Sequence, residues 1–372
     1  MSLVPDCGGL VEQLAIAIPA ALLRSPAATD PCQPLIPIGK LIEAFPTDVR
    51  IVVMVDNACA TEAQAWLDRL DLNAQIQLSP LNPSAKAITS PWIQDGFHVK
   101  APDPTVGRNQ RYLAVSGDGP ARHLARLTAA EVVAMGFHLD GGNQLVGSDF
   151  RLIGYSEIER IDAVRRLDHR PVSLFGYRVD DLGATAEPAG RIALSRSAAT
   201  CPSPMHQFGY HIDQFVTLTG LYKNGRPLLV VGQPVPSDPP SPIVATASRC
   251  LDASAVFLEE QGFAILRNPV AFAITPDTNK RQPRLYNNAI VENDIRVGQE
   301  RPIVWLPQFS DFDALGDIDE ANVNLWESLG FRIERVFGWT HLASRCGALR
   351  CISKVLLRKP SRELDTKNTL IA

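Results

Sequence analysis

The feature that most limits what this chain can fold into is a recurring order of strand-like and helix-like segments. "DVRIVVMVD" (48–56) is an apolar, β-branched run, and "ATEAQAWLDRLDL" (60–72) follows with helical spacing and Thr61 as its expected cap. "AQIQLSPL" and "WIQDGFHVK" (92–100) read as short strands, and "PARHLARLTAAEVVAMGF" contains a helix. "NQLVGSDFRLIGYS" (143–156) predicts a hairpin turning at Gly-Ser-Asp, with the helix "EIERIDAVRRL" behind it. The order then returns. "GYHIDQFVTLTGLYKNGRPLLVVGQ" (209–233) predicts strand, Asn-Gly turn and strand, followed by a helix near 245–261 and the strand "FAILRN". "YNNAIVEND" (286–294), "RPIVWLPQF" (301–309), the helix "DEANVNLWESLG", "FRIERVFG" and "GALRCISKVLLR" complete the series. Four or five hairpin–helix–strand copies, recurring at roughly sixty to eighty residues, argue for one closed α/β architecture over independent domains. Residues 1–34, rich in Ala, Pro and Leu, are expected to wrap that core as an N-terminal extension of loop and short helix. Residues 35–358 form the single domain, and 359–372 a flexible polar tail.

The formal net charge of −4 over 372 residues carries no basic footprint for nucleic acid or an anionic membrane. No apolar run approaches the ~20 residues that span a bilayer. Asp6, near the N-terminus, and the lack of a basic leader argue against a secretory signal. The 7 cysteines are odd in number and include no Cys-x-x-Cys pair, which points to free thiols in a reducing, cytoplasmic compartment. No zinc-like ligand spacing and no calcium-demanding acidic cluster stand out, so neither metal nor cofactor is expected.

Polar residues that interrupt apolar strands mark the candidate chemistry. Asp95 lies in "WIQDGF", Asp140 in "LDGGN", His211 and Asp213 in "YHIDQFV", and Cys351 in "LRCISKVLLR". In a strand, His211 and Asp213 would share one face. Taken singly, Asp95 and Asp140 read as turn residues, with Gly141 and Gly142 supplying backbone freedom. Cys351, expected at the start of a strand with Arg350 on the opposite face, reads alone as a core thiol. Together the set suits a planar, permanently charged guanidinium. Asp95 and Asp213 would hold it, Cys351 would attack its carbon, and His211 would move the protons.

In this order the motifs resemble the guanidine-modifying (pentein) superfamily, which includes arginine, agmatine and peptidylarginine deiminases, dimethylarginine hydrolases and amidinotransferases. The resemblance covers roughly residues 40–358 by motif order. It implies a five-bladed, pseudo-symmetric α/β propeller of ββαβ units with the site at its axis. "WIQD" is most similar to the peptidylarginine deiminases, which places Trp92 beside the pocket and makes Asp95 a guanidinium carboxylate. "HID" supplies His211 as acid and base and Asp213 as the second carboxylate, and "RCIS" supplies Cys351 as nucleophile. "LDGGN" is similar to the family's Glu-Gly-Gly-Asn segment, which gives Asp140 and Asn143 substrate-binding or His-orienting roles; Asp140 is one methylene shorter than the family glutamate. "YNNAIVEN" is similar to the strand of the fourth unit and offers Asn287 or Asn288 as pocket-lining residues. Arg350 stands before the cysteine as in arginine deiminases, where agmatine deiminases have His; Arg284, Arg345 and Arg350 are candidates to meet a substrate carboxylate. The resemblance implies a cysteine-dependent deiminase or dihydrolase of a small guanidino compound. Peptide arginine and amidino transfer are the alternatives, and a homo-oligomer stays open. A non-catalytic binder on the same fold, including a translation-initiation-factor-like use, would have no need of the thiol.

Overall fold

The computed structural model describes residues 2–24, 35–82, 87–103, 107, 109–114, 119–182, 205–275, 279–310 and 314–359. β1 (Leu10–Ile18) runs parallel to β2 (Arg50–Val55), with α1 (Ala20–Leu23) and α2 (Leu35–Glu43) between them. α3 (Ala60–Leu67) leads on to the parallel β3 (Gln75–Pro80). β4 (Phe97–Lys100) pairs antiparallel with β5 (Arg111–Ala114), and α4 (Pro120–Thr128) carries the chain to β6 (Glu131–Ala134), parallel to β5. β7 (Gln144–Val146), β8 (Arg151–Gly154), α5 (Ile161–Leu167) and β9 (Val172–Phe175) repeat that order. A small pair, β10 (Tyr177–Arg178) and β11 (Met205–His206), stands apart. The order returns in β12 (Val216–Lys223), β13 (Arg226–Pro234), α6 (Pro242–Glu260) and β14 (Ala264–Val270). The hairpin β15 (Phe272–Thr275) and β16 (Lys280–Pro283) precedes a fourth copy: β17 (Ile290–Val291), β18 (Ile303–Gln308), α7 (Gly316–Ser328) and β19 (Arg332–Phe337). α8 (Thr340–Ala343) and α9 (Leu349–Ile352) lead to β20 (Ser353–Lys359), which pairs antiparallel with β1. Its sheet therefore reads β20-β1-β2-β3.

Five sheets thus share one rule. The first strand is antiparallel to the second, a helix crosses over, and the third strand is parallel to the second. The fold is mixed α/β, as the repeated pattern predicts. β2, parallel to both of its neighbours, is buried on both faces, which explains its near-continuous apolar run "IVVMV". Between β12 and β13, Asn224 and Gly225 both take positive φ (53° and 72°), the conformation that a two-residue hairpin turn requires.

Several expectations are corrected. Residues 10–18, expected as loop or short helix, form β1, paired on both edges and buried along most of its length. Ala15 and Ala17, which lower β-propensity, are buried in the same core cluster as Val52, Met54 and Ile93. α3 starts at Ala60, without the expected Thr61 side-chain cap. All but the first residue of the 359–372 tail lies outside the described residues. Among the described residues the cysteines are free thiols, and no helix is long and apolar enough to cross a membrane.

Candidate active site

The residues singled out by chemistry sit in the short turns that lead into the first strands of the sheets. Asp95 ends a 3-10 turn (Ile93–Asp95) before β4, and Asp140 caps another (Gly141–Asn143) before β7. His211 caps the turn Ile212–Gln214, which contains Asp213 and precedes β12. Asn288 stands ahead of β17, and Cys351 lies in α9, directly before β20. The strand placements expected for the His211–Asp213 pair and for Cys351 are therefore replaced by tight turns. Turns explain the outcome better than strand alternation does: they let consecutive side chains converge while the following strand enters the core.

Glycines make this convergence possible. A Cβ on Gly142 would collide with the His211 ring, and one on Gly141 with the Gln94 carbonyl. The Gly-Gly pair is thus required by close approach of neighbouring turns. Gln214 ties two further turns together. Its Oε1 accepts from the Tyr210 and His211 amides at 2.7 and 3.1 Å, while its Nε2 donates to the Cys346 carbonyl at 3.1 Å.

Asp140 bridges two imidazoles. His211 Nε2 lies 3.1 Å from its Oδ2, and His138 Nε2 lies 2.7 Å from its Oδ1. His211 is buried, whereas His138 is half-exposed, so the chain His138–Asp140–His211 runs from solvent into the site. His138 escaped the sequence reading, although "HLD" repeats the His-x-Asp pattern of "HID". Asp95, the most exposed carboxylate of the set, accepts from the Gly142 amide at 2.8 Å and stands 4.0 Å from His211 Nδ1. Burial raises the Asp95 pKa, against the opposing pull of His211 and the Gly142 amide. Burial alone would depress His211, but the Asp140 hydrogen bond and the charges of Asp95, Asp213 and Asp140 outweigh it and raise its pKa. Asp95, Asp140 and His211 each offer a ligand atom within 4.8 Å of the others, a set that a cation could bridge; both Asp140 oxygens are already engaged by imidazoles.

Cys351 is held by Asn288. The Asn288 Oδ1 accepts from the Ala348 and Cys351 amides, both at 3.1 Å, and its Nδ2 donates to Cys351 Sγ at 3.2 Å. Asn288 therefore shapes the cysteine turn and contacts the sulfur itself. Cys351 Sγ lies 3.6 Å from Asp213 Oδ2. Burial, reinforced by Asp213 and Asp95, pushes its thiol pKa well above the ordinary range. Arg350 does not point away from this group. Its Nη1 donates to the same Asp213 Oδ2 at 2.7 Å, while its Nε and Nη2 meet Asp6 at 3.0 and 2.8 Å. Gly141 and Gln144 carbonyls complete its shell. Asp213 Oδ1, by contrast, is buried and has no hydrogen-bond partner among the described residues. Asp6, 344 positions from Arg350, left no local signal in the sequence.

The remaining candidates lie elsewhere. Asn143 is buried and spends its amide on Ser156, Glu157 and Gln207. Trp92 is partly buried against Gly347, in the loop that leads to Cys351, where a Cβ would strike its ring. Arg284 is fully buried and directed to carbonyls of the β15–β16 hairpin, and Arg345 is exposed.

No family model and no curated protein matches the sequence. Solved structures do match the fold. An agmatine deiminase of C. jejuni aligns over 96% of both chains at 12% identity with a TM-score of 0.59. An agmatine deiminase of Enterococcus faecalis aligns over 96% of both at 13% identity and 0.58. A protein described as a candidate arginine deiminase of Porphyromonas gingivalis aligns over 96% of this chain and 98% of its own, at 16% identity and 0.62. Agmatine deiminases and a candidate arginine deiminase match this fold alike, so the likeness does not choose a substrate. The five sheets and the turns that enter them thus share the mixed α/β fold of solved agmatine and arginine deiminase structures.

Proposed function

We propose that this chain is a cysteine-dependent hydrolase of a guanidino compound, its five sheets forming the blades of a pseudo-symmetric α/β propeller with the site on the axis. The observation that carries the reading is Asp213. One of its oxygens is engaged by Arg350 beside the Cys351 sulfur, and the other is buried without a donor. A buried carboxylate oxygen without a partner is costly, and a guanidinium N–H is the donor that would complete it. Asp95, the more exposed carboxylate, would take the opposite side of the same cation. The likeness of fold to deiminase structures supports the same substrate class.

The charge of the substrate answers the high pKa of Cys351. Asp213 and Asp95 disfavour a thiolate in the empty site, and a cation bound between them reverses that push. The thiol then loses its proton to solvent, the thiolate adds to the guanidinium carbon, and protonated His211 donates to the departing nitrogen, which leaves as ammonia. Neutral His211 next takes a proton from water as it attacks the S-alkylthiouronium carbon. The C–S bond breaks, the thiol is restored, and a ureido product forms. Asp140 orients His211, and His138 links that carboxylate to solvent.

Burial of Cys351, His211 and Asp213 supports a small molecule over a peptide. The test is a screen of arginine, agmatine, guanidino acids, methylarginines and an arginine peptide for ureido product and ammonia, without an amine acceptor. Turnover that is lost in Cys351→Ala is expected. Amidino transfer to an added amine without ammonia would select the transferase, and turnover unchanged by Cys351→Ala would refute the reading.

A further inference from the structure

Arg350 also lines a cavity of about 50 Å³ that Cys351, His211 and Asp213 do not line. It is well above the ~10–15 Å³ that a water molecule needs. Asp6, His98, Gln144, Arg350, Lys354 and Arg358 contribute its polar lining. Three of these side chains are cationic and only Asp6 is anionic; burial keeps His98 neutral by lowering its pKa to about 3.

The nearby carboxylates are already committed. Asp6 and Asp213 serve Arg350, and Glu292, which faces Arg358, is paired with Arg296. Lys354, 6% exposed, is left with the Gln94 carbonyl at 3.1 Å and the Phe97 ring face at 5.5 Å. Arg358, 7% exposed, donates through Nη1 and Nη2 to backbone carbonyls, but its Nε is buried without a partner. Among the described residues Lys354 makes no ion pair with a carboxylate and Arg358 Nε meets no acceptor, and both residues line this one small space.

We infer that this cavity binds a small monovalent anion of about the size of chloride, held by Lys354 and Arg358. Water could meet the Arg358 donor, but only an anion also offsets the buried charge. A second consequence follows from linkage. Without an anion, burial and Arg350 push the Lys354 pKa down to about 7, against Asp6, Asp95 and Asp213; His98 faces it from β4 as a neutral ring. Anion binding then takes up a proton, so it is tighter below pH 7 than above it.

The test uses the full chain and does not depend on guanidino turnover. Thermal unfolding is followed in sodium chloride and in sodium gluconate at equal ionic strength, since gluconate is too large for the cavity. A saturable chloride-specific rise in midpoint is expected, larger at low pH and absent in Lys354→Met. Should Lys354→Met fail to fold, the wild-type titration and a bromide-soaked crystal decide, with an anomalous peak expected between Lys354 Nζ and Arg358 Nε. Equal midpoints in the two salts, or bromide at surface positions only (an adventitious ion only), overturn the inference.

Discussion

At the scale of single residues, Cys351 and His211 are displaced in ways that oppose easy chemistry in the empty site. Burial and two carboxylates raise the thiol pKa, and the Asp140 hydrogen bond and three carboxylate charges raise the imidazole pKa against burial. Alkylation of Cys351 by iodoacetamide should therefore be slow at neutral pH and rise past the ordinary thiol range. Bound guanidino substrate should shift that rise to lower pH in a turnover-blocked His211→Asn variant. Cys351→Ala should lower turnover about a thousandfold or more. For His211, the ring titration followed by NMR should have its midpoint above 6.5, and Asp140→Asn should bring it down. The sign for stability follows directly: a raised folded pKa contributes fully below about 6.5 and is lost as pH rises through the folded value. An unchanged midpoint in Asp140→Asn would show that Asp140 does not hold the proton.

At the scale of elements, periodicity exposed the hairpins and helices but not the turns that carry the chemistry. The His211–Asp213 pair was expected to converge through strand alternation, and it converges through a 3-10 turn instead. Both geometries place residues i and i+2 within reach of one site, so the residue choice survived an incorrect local structure. β1 leaves a weak signal because its alanines, Ala15 and Ala17, imitate helix composition. The two glycines after Asp140 read first as turn residues that could also admit a ligand, and in the structure they make room for Gln94 and His211 of neighbouring turns. Gly141→Ala would press on the Gln94 backbone and should destabilise by about 1–3 kcal/mol in urea denaturation. Gly142→Ala would press on the His211 ring and should lower turnover about a hundredfold. If both variants changed stability equally and left turnover alone, the glycines would be mere turn formers.

At the scale of the whole molecule, the N-terminal segment ties distant sheets together, and nothing local in the sequence announces it. Val4 donates to Val99 in β4, Asp6 exchanges hydrogen bonds with Val146 in β7, and Gly8 and Val11 reach Asn293 and Glu292 beyond β17. Arg358 in β20 binds the carbonyls of Asp6, Gly8 and Gly9. Contacts between chain ends leave no periodic trace, so a reading based on spacing treats such a segment as an extension. The strap also meets the site, because Asp6 is a counter-ion of Arg350, which orders Asp213. Removing one partner of a buried pair costs about 3–5 kcal/mol. Asp6→Ala should fall at or below the low end, since the Asp6 side chain is 23% exposed and Arg350 retains Asp213. Deleting residues 2–9 should cost clearly more in urea denaturation, because the ties made by Val4, Asp6, Gly8 and Gly9 are lost as well. It should also lower turnover by letting Arg350 and Asp213 rearrange. Equal losses from the point variant and the deletion would mean that the Asp6 carboxylate alone, and not the strap, holds the sheets in register.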